Sequence, residues 1–203
     1  MFGNPIKQRW PLHTMQQLCI KITDGTHHSP AIQDEGIPYI TAKHLKCDGL
    51  DFYNNPWFIS KEDHAKIYKR CDPKKGDILY IKDGATTGIA AINNYDFEFS
   101  MLSSLALLRI DTAKINANYI CYWLNNSIVK RSLFGFMSGA AIQRLTLAKI
   151  QKIIVPVPPL SLQQQFANRI NQLKQLKAKQ QTALSQQNQL FATLQHQAFT
   201  GQL

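Results

Sequence analysis

Between residues 166 and 198 the chain steps through Phe166, Ile170, Leu173, Lys177, Gln180, Leu184, Gln187, Phe191, Leu194 and Ala198 at alternating intervals of four and three. Seven of these ten positions are apolar, which is the spacing of a helix that buries one seam against another helix. A pattern held over almost five heptads outweighs the competing reading of a Gln-rich low-complexity tail. About 39 residues at roughly 1.5 Å each make a rod of about 58 Å, far more than is needed to cover a globular domain. The chain therefore divides into a folded body and a rod whose seam needs a partner.

The junction is VPVPPLSLQQQ, residues 155–165. Three prolines end the body, because proline gives up the backbone donor that a strand or helix interior requires. Ser161 followed by Gln164 has the capping-box spacing and predicts the start of the helix. Thr200-Gly201 supplies the stop. The expected fold is α+β: a globular mixed α/β domain over residues 1–158, then one long coiled-coil-forming helix over residues 159–203.

Charge separates along the same lines. Residues 1–111 hold thirteen Lys and Arg against all thirteen acids, whereas residues 112–203 hold ten cations and no acid. A one-signed half on a folded chain points to a polyanion, since Lys and Arg gain by displacing counterions from phosphate. With 44% hydrophobic and 10% aromatic residues the body is folded rather than disordered. There is no charged-then-apolar leader and no apolar run near 18 residues, so the expectation is a soluble, cytoplasmic protein with no membrane partner. Cys19, Cys47, Cys71 and Cys121 are widely spaced, with no CxxC and no clustered histidines. That predicts reduced thiols and no metal site.

Along the body, residues 1–18 read as a lead-in. TDGTHHSP (23–30) is turn chemistry, and GIPYITAKHL (36–45) is a strand entering a polar loop. Ser60 with Asp63 three residues later opens a helix. KKGDILYIKDGATTGIAAI (74–92) reads as strand, glycine turn, strand, and SMLSSLALLRI (100–110) as one buried strand. An amphipathic helix runs from Asn118 to near Gly135. Thr146 caps a short helix before IIVPVPP closes the body.

Several of these segments, in this order, resemble the DNA-specificity subunits of type I restriction–modification systems. TDGTHHSP is similar to that family's Asp-Gly-Thr-His turn, and GIPYITAKHLKCDGLDF to its strand and loop. The stretch ending KKGDILYIKDGATTG is similar to its Lys-Gly-Asp-Ile-Leu block with paired glycines. IIVPVPPLSLQQQF resembles the passage from domain into helix, and AFTGQL the close of a repeat. Two departures stand out. Leu162 replaces the family's usual Glu, while Gln163 is kept. A single recognition domain with a single helix also stands where the family has two of each, so the chain resembles a half-subunit.

The resemblance implies a chain without catalysis or cofactor that reads double-stranded DNA in the cytoplasm, at the nucleoid, of a bacterium or archaeon. Its partners would be methyltransferase (modification) subunits and a motor-nuclease restriction subunit. A second copy, joined as a homodimer through the helix, would complete a palindromic bipartite site. The interface set is then Leu162 and Gln163 together with Phe166, Ile170, Leu173, Lys177, Gln180, Leu184, Gln187, Phe191 and Leu194. Lys177, Gln180 and Gln187 would fix register at a cost in stability.

Reading bases requires donors and acceptors on exposed loops. Three loops qualify: Thr23, Asp24, Gly25, Thr26 and His27 on the tight turn; Lys82, Thr86 and Thr87 on the loop where Gly84 and Gly88 allow close backbone approach to DNA; and Gln143 with Arg144, suited to adenine and to guanine or phosphate. Lys43 and His44 form a weaker fourth candidate, and Lys149 a phosphate contact. Ordinary turn formation is the competing role for each. Two other functions remain in view: the recognition part of a methyltransferase-nuclease with catalysis elsewhere, and a coiled-coil adaptor binding only protein. The catalytic signatures are lacking, since NNPWF (54–58) holds one proline of an Asn-Pro-Pro-aromatic motif, and Asp77 and Lys82 lack nuclease spacing.

Overall fold

The computed structural model describes residues 9–134 and 144–201. They fall into two compact units, divided between Gln163 and Gln164. In chain order the first unit holds β1 (Leu12–Thr14), α1 (Met15–Leu18), β2 (Cys19–Asp24), β3 (Ile37–Ile40), a 3-10 turn (Ala42–His44), β4 (Leu45–Lys46), β5 (Gly49–Leu50), β6 (Phe58–Ile59) and α2 (Lys61–Tyr68). These are followed by β7 (Ile78–Ile81), β8 (Ala90–Ile92), β9 (Ser100–Met101), β10 (Leu105–Ile110), α3 (Ala117–Asn125), α4 (Ser127–Phe134), α5 (Leu147–Gln151) and β11 (Ile154–Pro156). Helix α6 (Leu160–Thr200) then runs through the second unit.

At the centre is an antiparallel sheet in the order β2-β10-β7-β8. Its inner strands, ILYI and LALL, are apolar at every position because the sheet is covered on both faces. Successive side chains point to opposite sides. Ile78, Tyr80, Ala106 and Leu108 join the helical core with Met15, Ile120, Leu124 and Ile150. Leu79, Ile81, Leu105 and Leu107 face a second core with Ile40, Phe52, Phe99 and Met101. Each large apolar side chain buried this way contributes roughly 1.5–3 kcal/mol.

Two cap expectations hold. The Ser60 hydroxyl accepts from the Asp63 N–H at the start of α2, and Thr146 accepts from the Lys149 N–H at the start of α5. The ILYI and AAI strands with their glycine turn also form as read.

Four expectations are corrected. The lead-in is structured from Leu12 onward: β1 pairs with β11, and Thr14 forms a reciprocal cap with Gln17. SMLSSLALLRI is two strands in two sheets, because the chain turns at Leu102–Ser104, where the Leu105 N–H donates to the Leu102 carbonyl. β9 runs parallel to β3, whereas β10 enters the central sheet. The helix expected from Asn118 to near Gly135 breaks at Asn126. That residue turns extended, and its side-chain oxygen accepts from the Ile128 and Val129 N–H groups, capping α4 instead of continuing α3. Helix α6 begins one residue before Ser161. The Pro159 carbonyl accepts from the Leu162 and Gln163 N–H groups, so Ser161 lies inside the first turn, and Gln164 pairs with Asn168.

Helix α6 is continuous over 41 residues, ending at Thr200 before Gly201 as expected. Most of its large apolar side chains from Leu173 onward are exposed within one copy, Leu173 being 60% and Phe191 63% accessible, whereas Leu162, Phe166 and Ile170 are half-buried. No described helix is long and apolar enough to cross a membrane.

Candidate nucleic-acid interface

All four central strands turn at one end of the sheet. β2 ends there at Asp24, opposite Ala106 of β10. β7 ends at Ile81, opposite Leu105, and β8 begins at Ala90, opposite Tyr80. The turn after β2 and the loop after β7 are therefore neighbours. The Lys82 N–H donates to the Ser104 carbonyl, and the Lys82 carbonyl accepts from the Leu145 N–H. That last bond delivers Arg144 to the same end, where its Nε lies 3.0 Å from an Asp83 carboxylate oxygen.

Asp24 holds the end together. It is buried, with one carboxylate oxygen 2.7 Å from Arg70 Nη2 and the other 3.4 Å from both Lys82 Nζ and His27 Nε2. Arg70 Nη2 also donates to the carbonyls of Asp24 and Gly25. Lys82 is 3% exposed, and a buried ammonium stays charged only when paired. Beside it, Gly25 is pressed against the Met101 carbonyl, so any Cβ there would overlap backbone.

The expected contact residues thus separate by direction. Exposed at this end are His27, Thr86 and Arg144. Thr26 is half-buried, and its hydroxyl is tied to the His28 backbone in both directions. Thr87 donates to the Gly84 carbonyl at 2.6 Å. Several other expected contact residues are turned inward. Thr23 is a strand residue paired with Leu107. Asp24, Gly25 and Lys82 form the buried node. Gly88, expected to admit DNA, is covered by the Phe134 ring.

His44 is also turned inward. It is fully buried, its Nδ1 accepting from the Thr41 N–H at 2.9 Å and its Nε2 lying 2.9 Å from the Asn55 carbonyl. That pairing fits the neutral ring protonated on Nε2, and burial lowers its pKa. Lys43 is exposed, with its ammonium 4.3 Å above the Trp57 ring. Lys149 is exposed on α5, and Gln143 lies outside the described residues.

The interface set needs one correction. Gln163 is fully buried in the first unit: its side-chain oxygen accepts from the Asn116 N–H, and its amide nitrogen donates to the Pro158 carbonyl. It fastens the start of α6 and is not available to another subunit.

At the opposite end of the sheet Arg109 grips Asp77 with Nε at 3.0 Å and Nη2 at 2.9 Å, and also reaches Asp72. Burial works to raise the Asp72 carboxyl, but the Lys21 hydrogen bond and the Arg109 charge bring it below the usual carboxylate range. Burial pushes the Cys71 thiol up to about 12. Cys19, Cys47, Cys71 and Cys121 are all thiols, and Cys47 is exposed. Among the described residues no group of three or more His, Cys, Asp or Glu side chains is placed to hold a metal.

Residues 20–186 match the family model described as the type I restriction modification DNA specificity domain. The chain belongs to that family. It is 26% identical over 160 residues to the type I restriction enzyme EcoBI specificity subunit of Escherichia coli, covering 77% of this chain and 33% of that one. Among solved structures it is similar to a chain from a study of type I R-M complex assembly and conformational transition, with TM-score 0.61, 20% identity, and 96% of this chain on 46% of that one. The HsdS subunit from Thermoanaerobacter tengcongensis aligns with TM-score 0.58 at 18% identity and the same coverage. This chain therefore spans a third to under half of the length of those specificity subunits.

Within this specificity-domain fold, Arg70 is the residue that sequence reasoning missed. It leaves the end of α2 in the run Lys69-Arg70, with no periodicity to mark it. The only signal was indirect: a carboxylate in a turn otherwise free of charge needs a cation, and Arg70 meets Asp24 from 46 residues away.

Proposed function

We propose that this chain reads one half of a bipartite double-stranded DNA target, and that two copies pair through α6 to address an inverted repeat. The observation that carries the reading is the convergence of His27, Thr86 and Arg144 at one end of the sheet, around a carboxylate turned inward. Outward side chains there donate hydrogen bonds, while the node beneath fixes the loops. Such preorganised loops suit groove readout, with backbone contacts setting the register. The ten cations and no acid beyond Asp111 supply a phosphate-seeking field.

On this reading the chain performs no chemistry of its own. Modification subunits methylate adenine and a motor-nuclease subunit cuts, both positioned by this chain on the chosen site. The exposed stripe of α6 supports pairing with a second copy, and a two-fold axis then relates two identical half-sites around an uncontacted spacer.

The test is to map methylated adenines in cells expressing this chain with its modification subunit. A palindromic bipartite motif is the expected result; an asymmetric motif would mean a different second half. Absence of any duplex shift at low salt, with the modification subunit present, would overturn DNA reading itself.

A further inference from the structure

Asp24 is one carboxylate facing two permanent cations. Lys82 is sealed at 3% exposure, whereas the Arg70 side chain is 54% exposed, so the unbalanced positive charge of the node surfaces at Arg70. Of the other acids, Asp83 is engaged by Arg144, and Asp72 and Asp77 by Arg109. The helix that carries Arg70 adds to the effect. Glu62 and Asp63 lie in the first turn of α2, and its other end holds Lys66, Lys69 and Arg70, all exposed.

The guanidinium is held by one nitrogen. Nη2 donates to an Asp24 carboxylate oxygen at 2.7 Å and also meets the carbonyls of Asp24 and Gly25. Among the described residues Nε and Nη1 have no acceptor, which leaves more than half of the N–H donors of the group unspent. Behind the side chain, the Arg70 and Cys71 N–H groups both donate to the Ile67 carbonyl, and Cys71 is fully buried, so the backbone is fixed as well. An arginine held this way has lost its conformational freedom before any ligand arrives, and binding does not have to order it again.

Resting on the DNA reading proposed above, we infer that Arg70 donates to a backbone phosphate of the duplex through the nitrogens that Asp24 leaves free. Phosphate, rather than a base, follows from which nitrogen is spent. Both two-pronged edges of a guanidinium, Nη1 with Nη2 and Nε with Nη2, include Nη2. With Nη2 turned into the protein, neither edge can grip the O6 and N7 of guanine together. What remains is one cation with single donors, which fixes register without reading sequence. Asp24 thus orients an arginine towards the phosphate path while it closes the loops from within.

The test is the slope of log affinity against log salt, measured by fluorescence anisotropy on a random-sequence duplex with the full chain and its modification subunit. Loss of one phosphate contact makes the slope shallower by about 0.9, so the affinity ratio of parent to Arg70→Gln falls about 3.5-fold between about 50 and 200 mM salt. Arg70→Lys keeps the charge and is expected to retain the parental slope. Arg109→Met removes an arginine bound to carboxylates at the other end of the sheet and is expected to leave the slope unchanged. Should R70Q not fold, the same comparison is made between D24N/K82M and D24N/K82M/R70Q, where no charge is left stranded. A folded R70Q with the parental slope overturns the phosphate contact and leaves the DNA reading intact. So does a parental slope accompanied by relaxed methylation at one base pair of the target, which would make Arg70 a base reader. A parent that binds no duplex overturns the DNA reading and this inference together.

Discussion

Asp24 and Lys82 form a buried pair, carboxylate oxygen to ammonium 3.4 Å, at the point where two candidate recognition loops leave the sheet. Removing one partner of such a pair strands the other charge in the interior. Asp24→Ala is expected to cost about 3 kcal/mol in urea unfolding, and D24A/K82M to recover part of that loss. A single mutant within 0.5 kcal/mol of the parent would show that the pair is not what holds these loops.

Arg144 should behave in the opposite way. It is exposed and its ion pair with Asp83 lies at the surface, where such pairs contribute little. Arg144→Ala is expected to change stability by less than about 0.5 kcal/mol while weakening duplex binding. If it contacts phosphate, the slope of log affinity against log salt falls by about 1 for every sequence; if it contacts a base, discrimination at one position relaxes. Unchanged affinity and unchanged discrimination would remove Arg144 from the interface.

Gly25 tests the packing of the turn independently of charge. A Cβ at this position meets the Met101 carbonyl of the neighbouring strand. Gly25→Ala is therefore expected to destabilise by about 2 kcal/mol or more, since backbone must move. Thermal unfolding of the variant, read by circular dichroism, checks this.

His44 predicts a pH dependence. Burial lowers its folded pKa, so the unfolded chain takes up the proton more readily. Its contribution to stability is complete above the ordinary histidine value of about 6.5 and declines as pH falls below it towards the folded value. Asp72, whose folded pKa is depressed, contributes at pH values above the ordinary carboxylate range and loses its part only at lower pH. Stability of the parent and of His44→Asn, followed from pH 8 to pH 5, should diverge in slope below about 6.5. Parallel curves would count against a buried neutral ring.

Arg109 tests the other end of the sheet. Arg109→Met removes a two-pronged contact to Asp77 and is expected to cost about 2 kcal/mol. Because this network lies away from the candidate recognition loops, the salt dependence of duplex binding should be unchanged in the folded variant. A changed salt slope would place this network, too, in contact with DNA.

Much of this architecture is visible in local patterns. Ser60, Thr146 and the unbroken apolar runs of β7 and β10 act over a few residues, and there hydrophobic pattern and capping chemistry suffice. The misses have a common cause in contacts made at long range. One apolar run from 100 to 110 conceals a change of sheet, because its partners, Ile40 and Ile81, are far away in sequence. Asn126 broke an otherwise periodic helix through a side-chain oxygen that periodicity does not weigh. At the candidate interface the residue types were legible, but their direction was not. Asp24 and Lys82 look like surface charges until Arg70 and the neighbouring strand enclose them, and His44 looks like a loop donor until both its nitrogens find backbone.

The division into inward and outward side chains makes this end of the sheet permissive to change. Asp24, Gly25, Lys82 and Leu145 carry the architecture, while His27, His28, Ser29, Ala85, Thr86 and Arg144 stand exposed between them. A randomised library confined to those six outward positions should keep the melting temperature of the parent while its members diverge in the duplexes they retain. The fold thus supplies a holder whose outward face can be exchanged without rebuilding what lies beneath it.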